Sequence, residues 1–327
     1  MDKTNSSAFD PNHFIEQLFE GKKSFEDMAD ELWAYQKAHN PIMSEFVQKL
    51  GWKGQVSLPI EFFKAFPFKT GEFEAEAIFQ SSGTSGQSPS QHFVKDLNLY
   101  ERNVIQGFKE AFAYQPYKIL ALLPSYLERN NSSLVHMVKT WIDDFGLPSS
   151  GFYLYNFEEL KKAIVEGREA GEPMILIGVS FALLDFAEQH PIQLPEDTLV
   201  IETGGMKGKK KELVREELHA LLKKGLGVEH IYSEYGMTEM MSQAYLGKNG
   251  RFIPSSTLKV WTSDFHLQTI PSKLGVSGRL HLIDLANVHS CAFIATDDIG
   301  RVYEDGSFEV LGRIDTSEMR GCNLMYV

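Results

Sequence analysis

The strongest constraint on the fold of this chain is a regular alternation of apolar runs and helix-like segments between about residues 92 and 236. The runs "YKILALLP", "PMILIGVS", "TLVIETGG" and "VEHIYSEYG" each hold a strand's length of mostly apolar or β-branched residues. The segments "LNLYERNVIQGFKEAFA", "SSLVHMVKTWIDDFG", "FALLDFAEQH" and "KKKELVREELHALLKKGLG" carry apolar residues at helical spacing instead. Strands that are apolar throughout leave no face for water, and strands separated by helices are not joined as hairpins. The pattern therefore predicts an α/β fold with a mostly parallel sheet and helices on both faces.

The flanking segments read differently. In "PNHFIEQLFE" the residues Phe14, Ile15, Leu18 and Phe19 share one helical face. In "SFEDMADELWAYQKAHN", Ser24 is a candidate N-cap, with Phe25, Met28, Leu32 and Tyr35 in one stripe. "NPIMSEFVQKLG" ends at Gly51, a C′ candidate. Segment 58–68 is aromatic and is expected to pack on the core, and "EAEAIFQ" alternates as a strand does. After about residue 250, "GRLHLIDL", "CAFIATDDIGRVY" and "SFEVLGRID" are short strands with turns, including a hairpin turn at Asp305-Gly306. Three parts are expected: a helical part (1–75), an α/β core (76–250), and a small β subdomain with a C-terminal tail (251–327).

With 43% hydrophobic residues in 327, a sizeable core is available. The net charge of -12 argues against non-specific binding to nucleic acid or to anionic membranes. The two cysteines, Cys291 and Cys322, form no disulfide framework and suit a reducing compartment. The polar opening "MDKTNSSAFD" has no signal-peptide h-region, and "MILIGVSFALLDFA" is too short to span a bilayer. A cytoplasmic protein without membrane insertion is expected. The histidines lack metal-ligand spacing, so no zinc site is predicted.

Four segments carry candidate chemistry. "QSSGTSGQSPSQH" places Ser81, Ser82, Gly83, Thr84, Ser85 and Gly86 directly after a strand. Small hydroxyls and glycines leave backbone N–H groups free to wrap phosphate oxygens, without the spacing of a Walker loop. A flexible polar turn is the alternative. "IETGGMKGKKK" puts Gly204 and Gly205 at the end of a buried strand, where ligands sit in open α/β sheets. An ordinary strand-to-helix turn with a solvated lysine run would read the same way. "YSEYGMTEM" presents Tyr235, Thr238 and Glu239 around Gly236, and a lone carboxylate beside a phosphate loop suits Mg²⁺. "TDDIGRVYEDGSFEVLGRID" offers Asp298, Arg313 and Asp315: a carboxylate for ribose hydroxyls, an arginine for sugar or phosphate oxygens. Surface acids and routine hairpin turns are the alternatives there.

In their order and spacing these segments resemble the adenylate-forming superfamily of acyl-CoA synthetases, luciferases and adenylation domains. The matching stretches are "SSGTSG", "GGMKG", "YGMTE", "TDD" and "GRID", from about residue 80 to the end. The ending "GRIDTSEMRGC" and the short length look like the LuxE-type acyl-protein synthetases, which activate a long-chain fatty acid and accept its acyl group on a cysteine near the C-terminus. The resemblance implies the superfamily's large N-terminal domain without its mobile C-terminal domain. It also implies these roles: Ser81 to Gly86 for the ATP phosphates; Gly204, Gly205 and Met206 along the adenine and acyl channel; Tyr235, Gly236, Met237 and Thr238 against the adenylate. Glu239 would hold Mg²⁺, Asp298 the ribose with Arg313 in support, Asp315 would mark the hinge, and Cys322 would take the acyl group. Two departures stand out. The superfamily's phosphate loop usually carries a lysine where this chain has Ser88-Pro89, and this chain stops six residues after Gly321, before the domain that supplies a catalytic lysine. Arg313, Lys207, Mg²⁺ or a partner protein would have to provide that charge.

The implied reaction is ATP-dependent activation of a fatty or other carboxylic acid, then transfer to a thiol. A reductase, thioesterase or carrier is a possible acyl-donating or acyl-accepting partner. The alternatives are a CoA ligase or acyltransferase relative using a free thiol, and a non-catalytic nucleotide- or acyl-binding module. "FYLYNF" and "LLPSYLERNNSSLVHMV", with His136, are acyl-pocket candidates, although core packing accounts for such stripes equally well. "GVSFA" around Ser180 only partly resembles a nucleophile elbow. Cys291, in an apolar strand-like run, is expected in the core.

Overall fold

The computed structural model describes residues 9–81, 88–124, 131–204, 213–264 and 269–314. The N-terminal segment forms α1 (Pro11–Glu20), α2 (Phe25–His39), α3 (Pro41–Leu50), a two-residue strand β1 (Leu58–Pro59) and a short helix α4 (Phe62–Ala65). Ser24 caps α2 as predicted, its Oγ accepting the Asp27 N–H at 3.1 Å. Asn40 caps α3 through Met43 N–H, and Gly51 closes that helix in the left-handed conformation. Phe14 and Leu18 of α1, and Met28 and Leu32 of α2, are buried; Ile15, Phe19, Phe25 and Tyr35 are half-buried.

The central segment runs β2 (Ala77–Gln80), β3 (Gln91–Val94), α5 (Leu97–Ala111), β4 (Lys118–Leu122), α6 (Ser133–Phe145), β5 (Gly151–Tyr153) and α7 (Phe157–Glu169). It continues through β6 (Met174–Val179), α8 (Ser180–Gln189), β7 (Leu199–Thr203), α9 (Arg215–Leu226), β8 (Tyr232–Tyr235), β9 (Ala244–Leu246) and β10 (Phe252–Pro254). The chain then returns through β11 (Leu258–Ser263), β12 (Gly278–Asp284), β13 (Phe293–Val302) and β14 (Phe308–Arg313).

These elements group into two units, one within 73–256 and the other within 1–72 together with 257–327. In the 73–256 unit the strands lie in the order β10-β9-β8-β7-β6-β4-β5. From β5 to β8 every pairing is parallel, and β9 and β10 add antiparallel partners at the β8 side. Each parallel connection passes through a helix (α6 to α9), and β4 and β6 are buried along their whole length. That is the sheet the apolar runs require. An aromatic cluster of Phe108, Trp141 and Phe145 packs α5 on α6, with Phe108 stacked on Phe145 at 4.7 Å. β2 and β3 form a separate antiparallel hairpin.

In the other unit β11 to β14 form an antiparallel meander, and β1 pairs in parallel with β13, Leu58 opposite Ile294. The predicted Asp305-Gly306 turn joins β13 to β14: Gly306 has φ 79, and Asp305 Oδ1 accepts the Ser307 N–H at 3.0 Å. The N-terminal helices belong to this same core. Buried Gln36 of α2 donates to the carbonyls of Asn287 (2.8 Å) and Val288 (3.1 Å), and its Oε1 accepts the Ala292 N–H at 2.9 Å. Thr70 donates to the Ser290 carbonyl at 2.6 Å, and Trp33 meets Phe293 edge-on at 5.0 Å. No helix among the described residues is long and apolar enough to cross a membrane.

Candidate active site

Parallel strands point their C-terminal ends to one edge of a sheet, so the segments that follow β7 and β8 are neighbours by construction. Thr203, last in β7, lies opposite Glu234 of β8. Beyond them come Gly204, with φ 78, and the turn Gly236–Met240, closed by the Met240 N–H on the Met237 carbonyl at 3.1 Å. A Cβ at Gly236 would lie 2.3 Å from Glu234 Oε1, so a side chain there would require the Glu234 carboxyl to move. Tyr235 is buried, with its ring 5.7 Å from Phe252; Met237 and Thr238 are half-buried.

The β2–β3 hairpin carries the Ser/Thr/Gly loop. Its mouth is closed by two bonds, Ser81 N–H to the Ser90 carbonyl at 3.1 Å and Ser90 N–H to Ser81 Oγ at 2.9 Å. Buried His92 of β3 places Nδ1 2.9 Å from the Thr238 carbonyl oxygen. One imidazole therefore ties the hairpin to the Tyr235–Glu239 segment. The two candidate motifs, separate in sequence, are brought together in one unit. Ser82, Gly83, Thr84, Ser85 and Gly86, and likewise Gly205, Met206 and Lys207, lie outside the described residues.

Glu239 is buried in this turn. Among the described residues no group of three His, Cys, Asp or Glu side chains could hold a metal by itself. The Glu239 carboxylate is of the kind that fits Mg²⁺, which usually takes one or two carboxylates and fills the rest of its shell with phosphate oxygens and water.

The strand ends also hold two carboxylates that the sequence did not single out. Alternation along β7 and β8 sends Glu202 and Ser233 to one face of the sheet, Thr203 and Glu234 to the other. Glu202 accepts from Ser180 Oγ at 2.5 Å and from Ser233 Oγ, and His219 Nε2 lies 3.5 Å from its Oε1. Burial opposes its ionisation, yet the bonds from His219, Ser180 and Ser233 outweigh burial and hold the carboxyl below its ordinary range. Glu234 has one such donor, Thr203 Oγ1 at 2.5 Å. Burial raises its pKa to about 7, the Thr203 bond only partly opposes this, and the neighbouring Glu202 charge adds to the rise. The two environments push one carboxylate toward the ionised form and the other toward the neutral one. Signals for this pair were present in "TLVIETGG" and "YSEYG", but only as polar residues inside otherwise apolar strands.

In the other unit Asp298 of β13 stands opposite Arg313 of β14, with Arg313 Nε 3.9 Å from Asp298 Oδ1. Arg313 is exposed. The Asp298 N–H donates to Thr296 Oγ1 at 3.1 Å. The preceding residue, Asp297, is anchored by Arg279, which donates from Nη2 to Asp297 Oδ1 (3.0 Å) and from Nε to the Thr296 carbonyl (2.6 Å). This clamp sets the course of β13 into Asp298. Glu61 joins the cluster with its pKa raised, by burial first and then by a hydrogen bond with Asp297.

The remaining candidates fall as follows. Ser180 is fully buried and donates to Glu202, an arrangement unlike an exposed nucleophile on a histidine. Cys291 is buried, and burial pushes its thiol up to about 12. "FYLYNF" begins with the last two residues of the edge strand β5, followed by exposed Leu154 and Tyr155; a strand of three residues at a sheet margin covers little. His136 Nε2 lies 2.9 Å from Glu101 Oε1, packed against Phe79 and Tyr100. Asp315 and Cys322 lie outside the described residues.

Among solved structures, the chain is similar to a 2-hydroxyisobutyryl-CoA ligase in complex with its acyl-AMP (TM-score 0.64, 11% identity, covering 94% of this chain and 73% of that one). ATP-bound MatB from Rhodopseudomonas palustris matches at TM-score 0.53 and 15% identity, covering 75% and 49%. The o-succinylbenzoate CoA synthetase MenE from Bacillus subtilis, bound to AMP, matches at TM-score 0.52 and 16% identity, covering 74% and 50%. The chain thus spans about half to three quarters of the length of these ligases, with which it shares the fold of their nucleotide-binding N-terminal domain. A search of curated protein sequences gives no match. A family profile, acyl-protein synthetase LuxE, matches residues 53–326, and the chain belongs to that family of adenylate-forming proteins.

Proposed function

We propose that this chain activates a fatty or other carboxylic acid with ATP and passes the acyl group to a thiol, that of Cys322. The observation that supports this reading is the His92 contact with the Thr238 carbonyl, which joins strand β3, next to the Ser/Thr/Gly segment in sequence, to the Tyr235–Glu239 turn. In the first step a carboxylate oxygen attacks the α-phosphorus of ATP, the α–β anhydride breaks, and pyrophosphate leaves. Ser81 to Gly86 would donate hydrogen bonds to the phosphate oxygens, and Glu239 would hold Mg²⁺, whose chemistry when bound is to supply positive charge for the leaving pyrophosphate. Gly204, Gly205 and Met206 border the adenine, Tyr235 to Thr238 line the adenylate, and Asp298 accepts from the ribose hydroxyls with Arg313 beside it. In the second step the thiolate of Cys322 attacks the acyl carbon, AMP leaves, and a thioester forms; the thiol proton has gone to solvent or to a base. A reductase, thioesterase or carrier would take the acyl group onward.

Incubation with ATP, Mg²⁺ and a radiolabelled fatty acid tests this. The wild-type chain should release pyrophosphate and retain label, whereas Cys322→Ser should release pyrophosphate and retain none. Label that persists in Cys322→Ser refutes the thiol assignment. Transfer to CoA alone identifies a CoA ligase, and no pyrophosphate with any acid leaves a binding module.

A further inference from the structure

Strand β13 is irregular where it presents Asp298. On one side Arg279 of β12 pairs with Ile299 and His281 with Ala295, so the single residue Leu280 stands opposite Thr296, Asp297 and Asp298. On the other side Ile299 pairs with Gly312 and Gly300 with Val310, which leaves Leu311 of β14 as an extra residue. Asp298 therefore lies within one bulge and next to a second. Bulges recur beside active sites, where they re-aim a side chain, and the ladder bonds they remove must be replaced. Here the replacements are in place at all three bulged residues. Arg279 Nε donates to the Thr296 carbonyl at 2.6 Å, the Ile314 N–H donates to the Asp297 carbonyl at 2.7 Å, and the Asp298 N–H donates to Thr296 Oγ1 at 3.1 Å. Thr296 Oγ1 in turn donates to the Leu280 carbonyl at 2.9 Å. Arg279 and Thr296 are both buried. Burying a guanidinium is costly unless acids accompany it, and Arg279 Nη2 lies 3.0 Å from Asp297 Oδ1 and 3.9 Å from Glu61 Oε1.

We propose that Arg279 is a positioning residue for nucleotide binding, acting with Thr296 to hold the bulge that aims the Asp298 carboxylate at the ribose hydroxyls. The inference rests on the ribose role given to Asp298 above. The Arg279 donors fall on the two residues that precede Asp298: one on the backbone of Thr296, one on the side chain of Asp297. The Thr296 hydroxyl then fixes the Asp298 N–H itself. Hydrogen bonds are directional, so a carboxylate that must meet two neighbouring hydroxyls loses affinity when its strand shifts. A lysine would keep the buried charge but not the function. Its single nitrogen on a flexible stem cannot reproduce the planar fork that reaches a carbonyl and a carboxylate at once.

The test compares AMP with 2′,3′-dideoxy-AMP, which differs from it only in lacking the two ribose hydroxyls. Affinity for the full chain is measured by calorimetry in wild type, Asp298→Ala, Arg279→Lys and Thr296→Val, each checked for folding by circular dichroism. Wild type should bind AMP about tenfold more tightly than the dideoxy nucleotide, the effect of hydrogen bonds to a charged acceptor. Arg279→Lys and Thr296→Val should each bring that ratio close to one while affinity for the dideoxy nucleotide stays nearly constant. A merely structural role predicts otherwise: general loosening weakens both nucleotides by the same factor and preserves the ratio. The proposal is overturned if the preference for AMP survives in folded Arg279→Lys; should that variant fail to fold, survival of the preference in Thr296→Val overturns it. If Asp298→Ala abolishes the preference and the other two variants keep it, the ribose role stands and only this inference falls. If wild type binds the two nucleotides equally, or binds neither, the ribose role falls and this inference with it.

Discussion

Replacing Glu234 with Gln probes the electrostatics of the β7–β8 strand ends with little change of shape. The amide keeps an oxygen to accept from Thr203 but no longer titrates. In the unfolded chain the Glu234 carboxyl loses its proton near 4.5, and in the folded chain, where burial dominates, only at about 7. Across that window the folded state keeps a proton that the unfolded state has released. The contribution of Glu234 to stability therefore declines as pH rises through the window, and it is constant outside it. The full change is about 3 kcal/mol, at ~1.4 kcal/mol for each tenfold change in proton affinity. Urea denaturation of both proteins from about pH 4 to about pH 8 gives the difference in unfolding free energy, in which other titrating groups cancel. The Gln variant should gain on wild type as pH rises, by up to about 3 kcal/mol, and the gain should level off above pH ~7. A difference that is flat with pH, or that shrinks as pH rises, refutes the reasoning, because it means that Glu234 is ionised in the folded protein.

Gln36→Ala should destabilise the chain by about 2–4 kcal/mol in the same denaturation assay, since it removes three buried hydrogen bonds at the 287–292 turn, to the Asn287 and Val288 carbonyls and from the Ala292 N–H. Gly107→Ala should stabilise by about 0.5–1 kcal/mol, because a helical Cβ there meets its neighbours at 3.6 and 3.7 Å, in ordinary contact. In the Cys322→Ser background the remaining thiol, Cys291, should resist thiol reagents at about pH 8 until the protein unfolds; labelling of the native protein would contradict its burial.

The sheet was legible because fully buried parallel strands leave an uninterrupted apolar run, as "MILIGV" does in β6. Caps were legible for a similarly local reason: Ser24 bonds three residues ahead. Short elements escaped. β3 reads "QHFV", half polar, and β5 has three residues, too few for any period to register. The candidate motifs were visible as local composition, but not the bond that joins two of them, since His92 and Thr238 are 146 residues apart. The division of labour between Glu202 and Glu234 was equally hidden. It depends on which face each side chain takes and on partners from α8, α9 and β9, and no window along the chain displays that.

The docking of α2 on the 287–292 turn has a consequence for how the chain is made. Gln36 and Ala292 are 256 residues apart, and at synthesis rates of ~5–20 residues per second the helix waits roughly ten to fifty seconds for its partner. During that interval the apolar stripes of α1 and α2 have no core to join, whereas the 73–256 unit emerges with its own strands and crossover helices in order. The nascent chain therefore carries an unburied N-terminal segment past a unit able to fold ahead of it. A ribosome halted before β13 leaves that segment open to chaperones and proteases. Nascent chains arrested before and after residue 292 and exposed to a protease should differ in cleavage within 11–50.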